Sequence, residues 1–282
     1  MSTTSSFTVS LDISDVHWPA KSVGAHLAAK LQLFQTDERT LTDELCDMLC
    51  IWLQIQSTRP QSGAVPVTLT LSKTTAKEEA KIGADLELIV SSPLGSKRCL
   101  IQAKVLDPST LRMRCDSVDG WKKLRKQLVA ARKSVGDLAF LLIYVPGALL
   151  DGNSYGFGTY EQLSLSPPLG ATPACYGATL VAVNDLLGPS GRWLSRKFKV
   201  PQLGHGRFKD GIPFWRILLE LLLCQRSSWS RQRPSPVESS IRPFRTLQIA
   251  AEGMDPDRWR SIEDRAAYLL RESHDLEGNS TD

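Results

Sequence analysis

Asp85 and Glu87, followed by Gln102 and Lys104, are the residues of this chain whose types and spacing could do chemistry. Members of each pair lie two apart, and residues two apart on a strand share a face. Ala84–Val90 and Arg98–Leu106 both read as strands, and Ser91–Ser96, with Pro93 and Gly95, reads as the turn between them. A hairpin so built sets the two polar pairs side by side, while Leu86, Leu88, Ile101 and Ala103 occupy the alternate, buried positions. Charges withdrawn from water need partners or a metal. Carboxylate and amide oxygens are hard donors suited to Mg²⁺ or Mn²⁺ with several retained waters, and a neighbouring lysine could orient or deprotonate one of those waters.

The runs Gly83-Ala84-Asp85 and Gln102-Ala103-Lys104 resemble the PD-(D/E)XK nuclease superfamily, and in particular its Mrr-like branch, in which glutamine stands for the second acid. The resemblance covers about Thr40 to Val183. It implies an α/β, restriction endonuclease-like core with a central mixed β-sheet flanked by helices. It also implies a Mg²⁺- or Mn²⁺-dependent endonuclease acting on nucleic acid, with double-stranded DNA as the favoured substrate, in a bacterial restriction or antiphage role. The implied catalytic set is Asp85, Gln102 and Lys104 with Glu79 and Glu87, and the metal set Asp85, Gln102 and Glu87. A helix ahead of the sheet often adds an acid in that family, for which Glu38 or Glu44 serve here and Glu79 is a third choice. An amide at position 102 brings no negative charge, so Glu87 or Glu79 would have to compensate. If neither reaches the site, the alternative is a catalytically silent module on the same fold that binds nucleic acid or protein.

The elements that must position these residues are legible in part. Leu45, Leu49, Ile51, Trp52 and Leu53 give Asp43–Gln54 a helical pattern, with Thr40 or Thr42 as cap. Val65, Val67, Leu69 and Leu71 alternate as a strand, with Pro66 marking its edge or start. Gly120–Ser134 reads as a helix, Leu138–Val145 as a strand buried on both faces, and Gly177–Val183 as a weaker strand. Helix, three strands, helix, strand is the order of an α/β fold with a mixed sheet. The chain divides into an N-terminal segment at 1–39, whose Met1–Ser6 reads as a frayed end, a nuclease-like domain at 40–187, and a basic, helical extension of unknown role at 188–282. That extension carries helical patterns at Phe214–Leu223 and Asp257–Arg271 and an exposed loop at Ser227–Ser240.

Charge supports a nucleic-acid partner by its distribution rather than its sum, a formal +4. Lys122, Lys123, Arg125 and Lys126, continuing to Arg132 and Lys133, form one basic stretch on the predicted helix. Arg192, Arg196, Lys197, Lys199, Arg207 and Lys209, interleaved with Trp193, Phe198 and Phe208, form a second. An acidic stretch from Glu252 to Asp282 could mask them. A homodimer or a regulatory protein partner stays open. The six cysteines lack a CxxC pair or a matching histidine pattern, so reduced thiols are expected and Cys46 and Cys50 read as buried apolar residues. Without an apolar run of membrane-spanning length or a leader, the expectation is a cytoplasmic protein with no membrane contact.

Overall fold

Alternating apolar residues make the strands of this protein, and amphipathic helices cover the faces those strands leave dry. The computed structural model describes residues 3–12, 16–58, 64–73, 84–107, 112–113, 118–147, 177–194, 211–222, 245–251 and 254–264. In chain order the elements are β1 (Thr3–Leu11), α1 (His17–Leu33), α2 (Glu38–Ser57), β2 (Val65–Lys73), β3 (Leu86–Ser92), β4 (Gly95–Asp107), β5 (Arg112–Met113), α3 (Val118–Val135), β6 (Ala139–Tyr144), β7 (Ala178–Ala182), α4 (Val183–Leu186), β8 (Ile212–Pro213), α5 (Phe214–Leu222) and β9 (Arg245–Ala250). A further helix spans 256–264.

The strands lie in the order β1-β2-β9-β3-β4-β6-β7-β8, and the short β5 pairs with β4. β3 with β9 and β4 with β6 are parallel, and the remaining pairs are antiparallel. The chain is therefore α/β with a mixed sheet flanked by helices, as its element order leads one to expect. On one face, Leu86, Leu88 and Val90 of β3 and Ile101, Ala103 and Val105 of β4 join a core with α1, α2 and α5. On the other, Leu100 and Leu106 of β4 meet Leu124 and Leu128 of α3. β6 supplies both cores, Phe140 and Leu142 to the first and Leu141 and Ile143 to the second. This is why Leu138–Val145 reads as an unbroken apolar run.

Three regions go beyond the sequence reading. Of the Met1–Ser6 stretch expected to fray, residues 3–6 are strand: Thr3–Leu11 runs for nine residues in unbroken register with β2, from Thr3↔Lys73 to Leu11↔Val65, and Met1 and Ser2 lie outside the described residues. Phe7, Val9 and Leu11 alternate with hydroxyl side chains, so one face of β1 packs on the core while the other stays wet. α1, which carries no clear periodic signal, lies against α5 and α2, and its Gly24 and Ala28 meet Gly177 so closely that a β-carbon there would fall 2.1 Å from the Gly24 carbonyl oxygen. Finally, α5 and β9, both drawn from 188–282, belong to this same core and sheet, with β9 inserted between β2 and β3.

α2 starts earlier than its apolar pattern indicates, at Glu38, because Asp37 caps it: one carboxylate oxygen accepts from the Thr40 N–H at 2.9 Å and the other from the Thr40 hydroxyl at 3.0 Å. Asp37→Ala should destabilise the protein by about 1 kcal/mol in urea unfolding at neutral pH. The Thr40 N–H, opposed by slight burial and helped by the Thr40 hydroxyl, holds the Asp37 carboxyl below its ordinary value. Its contribution is thus complete at neutral pH and fades as the pH falls through that lowered range. The gap between wild type and variant should close in acid, and a gap that persists unchanged would show that the cap is not its source.

Candidate active site

The β3–β4 hairpin turns tightly at Pro93–Leu94, where the Ser92 hydroxyl accepts from the Leu94 N–H at 3.1 Å, and Gly95 follows with φ 146°. A residue with a β-carbon is strained in that conformation, so glycine here helps hold the hairpin register. With Leu86 paired to Ile101, Asp85 sits across from Gln102 at the open end of the ladder. The Gln102 amide N–H₂ donates to the Asp85 carboxylate, and the Ala103 backbone N–H donates to the same oxygen at 2.6 Å. Asp85 is held at its backbone too, donating to Ile101 O at 2.9 Å and accepting from the Arg245 N–H at 3.0 Å. Asp85 and Gln102 are both buried, 6% and 2% exposed.

One atom of this cluster is unsatisfied: Gln102 Oε1 is buried and has no hydrogen-bond partner. Such an orphan ordinarily costs 1–3 kcal/mol, on the order of a lost hydrogen bond. The Gln102 amide also lies 3.4 Å from the Ala103 carbonyl, so its N–H₂ contacts two oxygens, a carboxylate and a carbonyl. Rotating the amide by half a turn would bring a third oxygen towards them, and three converging oxygens can be satisfied by a cation, a shared proton or a water.

β4 runs on past the start of β3, since its pairing with β3 ends at Ile101 and the strand continues to Asp107. The N-terminus of α2 reaches Lys104 there, and Glu38 Oε1 lies 3.3 Å from Lys104 Nζ. Of the helix acids left open by the sequence, Glu38 is therefore the one beside the lysine. Glu44 lies six residues on, about 240° around the helix, and turns to α1 instead. There it accepts from His26 at 2.7 Å and from Lys30. Burial pushes the Glu44 carboxyl up, but Lys30 and His26 outweigh this and hold it below its ordinary value.

Glu87 shares the face of Asp85 but is engaged elsewhere: opposite Leu100, it binds the Arg98 guanidinium through one oxygen and the Thr246 hydroxyl at 2.9 Å through the other. Asp85 meets Gln102, Lys104 meets Glu38 two residues further along β4, and Glu87 is held in its own ion pair. Glu79 and Gly83 lie outside the described residues, as do Arg196 and Lys197 of the second basic patch.

A partly buried network behind the site is absent from the sequence reading. Arg245, the first residue of β9, binds Asp43 of α2, which also accepts from Lys73 of β2 at 2.7 Å, and Asp47 lies 3.6 Å from the guanidinium. Because the backbone N–H of Arg245 binds Asp85 O, this network ties α2 and β2 to the strand that carries the acid. The only sequence signal for it was the alternation of Leu247 and Ile249, which marks a strand without saying where the strand goes.

α3 forms as expected, with Trp121, Leu124, Leu128 and Ala131 buried. Lys122, Lys126 and Lys133 share one outward ridge about 16 Å long at 1.5 Å per residue, flanked by Lys123, and all four are exposed. Arg125 is half-buried on the shoulder. Arg132 serves the fold instead, donating to the carbonyls of Leu187 and Gly188 at 2.9 and 3.0 Å. Trp121 packs edge-on against Trp193, ring centroids 5.4 Å apart. Lys122 and Asp119 form an exposed pair at 3.3 Å, worth little in water.

Cys46 and Cys50 are free, and they and Cys99 are buried. Burial pushes the Cys50 thiol up to about 11 and that of Cys46 higher still, so both behave as the small apolar residues their helical spacing indicates. Among the described residues no three His, Cys, Asp or Glu side chains group as a metal centre, and no helix is long and apolar enough to cross a membrane. No family model matches the chain, and neither a curated protein nor a solved structure matches it significantly.

Proposed function

We propose that this protein is a metal-dependent nuclease of the PD-(D/E)XK type, hydrolysing phosphodiester bonds of nucleic acid, with DNA as the favoured substrate and a restriction or antiphage role. The observation that carries this reading is the buried Asp85–Gln102 pair, whose amide oxygen has no partner, with Lys104 two residues along the same strand and paired to Glu38. Asp85 and Gln102 would hold Mg²⁺ or Mn²⁺, their two side-chain oxygens leaving room for the several waters Mg²⁺ retains. The bound ion supplies Lewis-acid polarisation of the phosphate and a water of lowered pKa.

The chain's own residues account for the rest. Ala103 N–H and the flanking backbone bonds fix the Asp85 carboxylate before substrate arrives, so little reorganisation is needed. Lys104, 16% exposed, presents an ammonium that can donate to a non-bridging phosphate oxygen or to the attacking water, where negative charge develops. Glu38 restrains that ammonium, and the α3 ridge, which faces away from the sheet, offers cations to phosphate backbone beyond the site.

The N–H donors already on Asp85 favour a second reading, a silent module that binds nucleic acid through α3 without cutting it. The two readings separate in a cleavage assay on plasmid and single-stranded DNA in Mg²⁺, Mn²⁺ or EDTA. The nuclease cuts with either metal and stops in EDTA. Salt-dependent binding with no cutting in any metal would instead establish the silent module. In both cases replacing Lys122, Lys126 and Lys133 by alanine should weaken binding and flatten its salt dependence by close to three phosphate contacts' worth.

A further inference from the structure

The two edges of the sheet are built differently. β8, at one end, has only Ile212 and Pro213, and proline has no N–H to offer a further strand. β1, at the other end, is nine residues long, contains no charge, proline or glycine, and runs without a bulge against β2. Charges, prolines and bulges are the devices by which monomeric proteins prevent edge pairing, and β1 has none of them. Among the described residues no strand pairs with its outer side.

From this contrast we propose that β1 is an interface with a second copy of this chain, pairing antiparallel with its counterpart about a two-fold axis at Phe7. Several observations select a second copy over a foreign strand. An isologous contact must be complementary to itself. Pairing centred on Phe7 uses all nine residues of both strands, whereas any other centre loses two residues of overlap for each step. In that register Thr4 faces Ser10 of the second copy, and Ser6 faces its Thr8. These four hydroxyl residues are exposed on one face, and Ser6 and Thr8 already make hydroxyl contacts with Thr70 at 3.0 Å and Thr68 at 3.4 Å across the β1–β2 pair. The second copy extends that hydroxyl ladder by one more rung. On the other face, Phe7 packs against the core but is only partly buried. At the axis it meets its own counterpart, and aromatic cross-strand pairs are among the favourable ones. With no ionised side chain in the strand, no like charges are brought together.

The test is charge placement at two exposed positions, read by sedimentation velocity and light scattering at tens of micromolar protein, with circular dichroism to verify folding. Wild type should have twice the monomer mass. Ser6→Lys combined with Thr8→Lys sets lysines opposite each other and should halve the mass, and Ser6→Lys combined with Thr8→Glu sets opposite charges together and should restore the dimer. Hydrogen exchange supplies a second reading, since the outward amides of β1 should be protected in wild type and exchange fast in the double-lysine variant. A monomeric wild type, a double-lysine variant that stays dimeric, or a lysine–glutamate variant that stays monomeric would each overturn the pairing. None of these outcomes depends on nuclease activity.

Discussion

Lys104→Met should lower metal-dependent cleavage by at least about a hundredfold, the loss typical of removing one preorganised donor to developing negative charge. Methionine keeps the apolar stem and volume, so the effect is one of charge rather than packing. The variant leaves Glu38 without its cation, but that carboxylate is about a quarter exposed and stays hydrated. Thermal stability should therefore change little, and binding through α3 should remain, so the loss should appear in kcat rather than KM. Lys104→Arg restores the charge with a different shape and should recover only part of the rate. Cleavage within a few-fold of wild type in the methionine variant would remove Lys104 from the chemistry and the proposal with it.

Arg245→Met should cost about 3 kcal/mol of stability, the lower end of what breaking a buried ion pair costs, because Asp43 keeps Lys73 and is partly hydrated. In urea this should read as a lower midpoint at unchanged slope. Asp43→Asn should cost a similar amount, and the double variant should cost less than the sum, because each residue acts largely through the other. A loss below about 1 kcal/mol would class the pair with ordinary surface bridges. The backbone N–H that binds the Asp85 carbonyl is kept in Arg245→Met, so the proposed cleavage should change little at temperatures where the variant is fully folded.

What the sequence revealed, and what it hid, follows from how local each signal is. Asp85 and Gln102 are legible because a hairpin is local and its alternation is visible in the residues themselves. α3 is equally plain, since Leu124 and Leu128 face one core and its lysines face water. α1 hides because it is covered by more than one neighbour, so Val23, Leu27 and Ala28 do not form a narrow stripe and even Lys21 is buried, its ammonium over the Trp215 ring. β1 passes for a polar tail because half of its residues face water. Glu38 and Glu44 could not be separated without knowing which side of α2 meets α1. The role of Arg245 was out of reach, as its partner Asp43 lies 202 positions away.

β9 sets the order in which this molecule can come into being. Thr246 and its partner Glu87 are 159 positions apart, a distance that a ribosome covers in on the order of ten seconds. Throughout that interval β2 and β3 have been made, yet the strand that separates them and binds the Asp85 carbonyl has not. Late, non-local closure of this kind slows folding. It also means that a nascent chain leaves the ribosome with the Asp85 side chain already held by its hairpin but the Asp85 carbonyl still waiting for Arg245, so the two ends of the sheet are joined only after β9 is made.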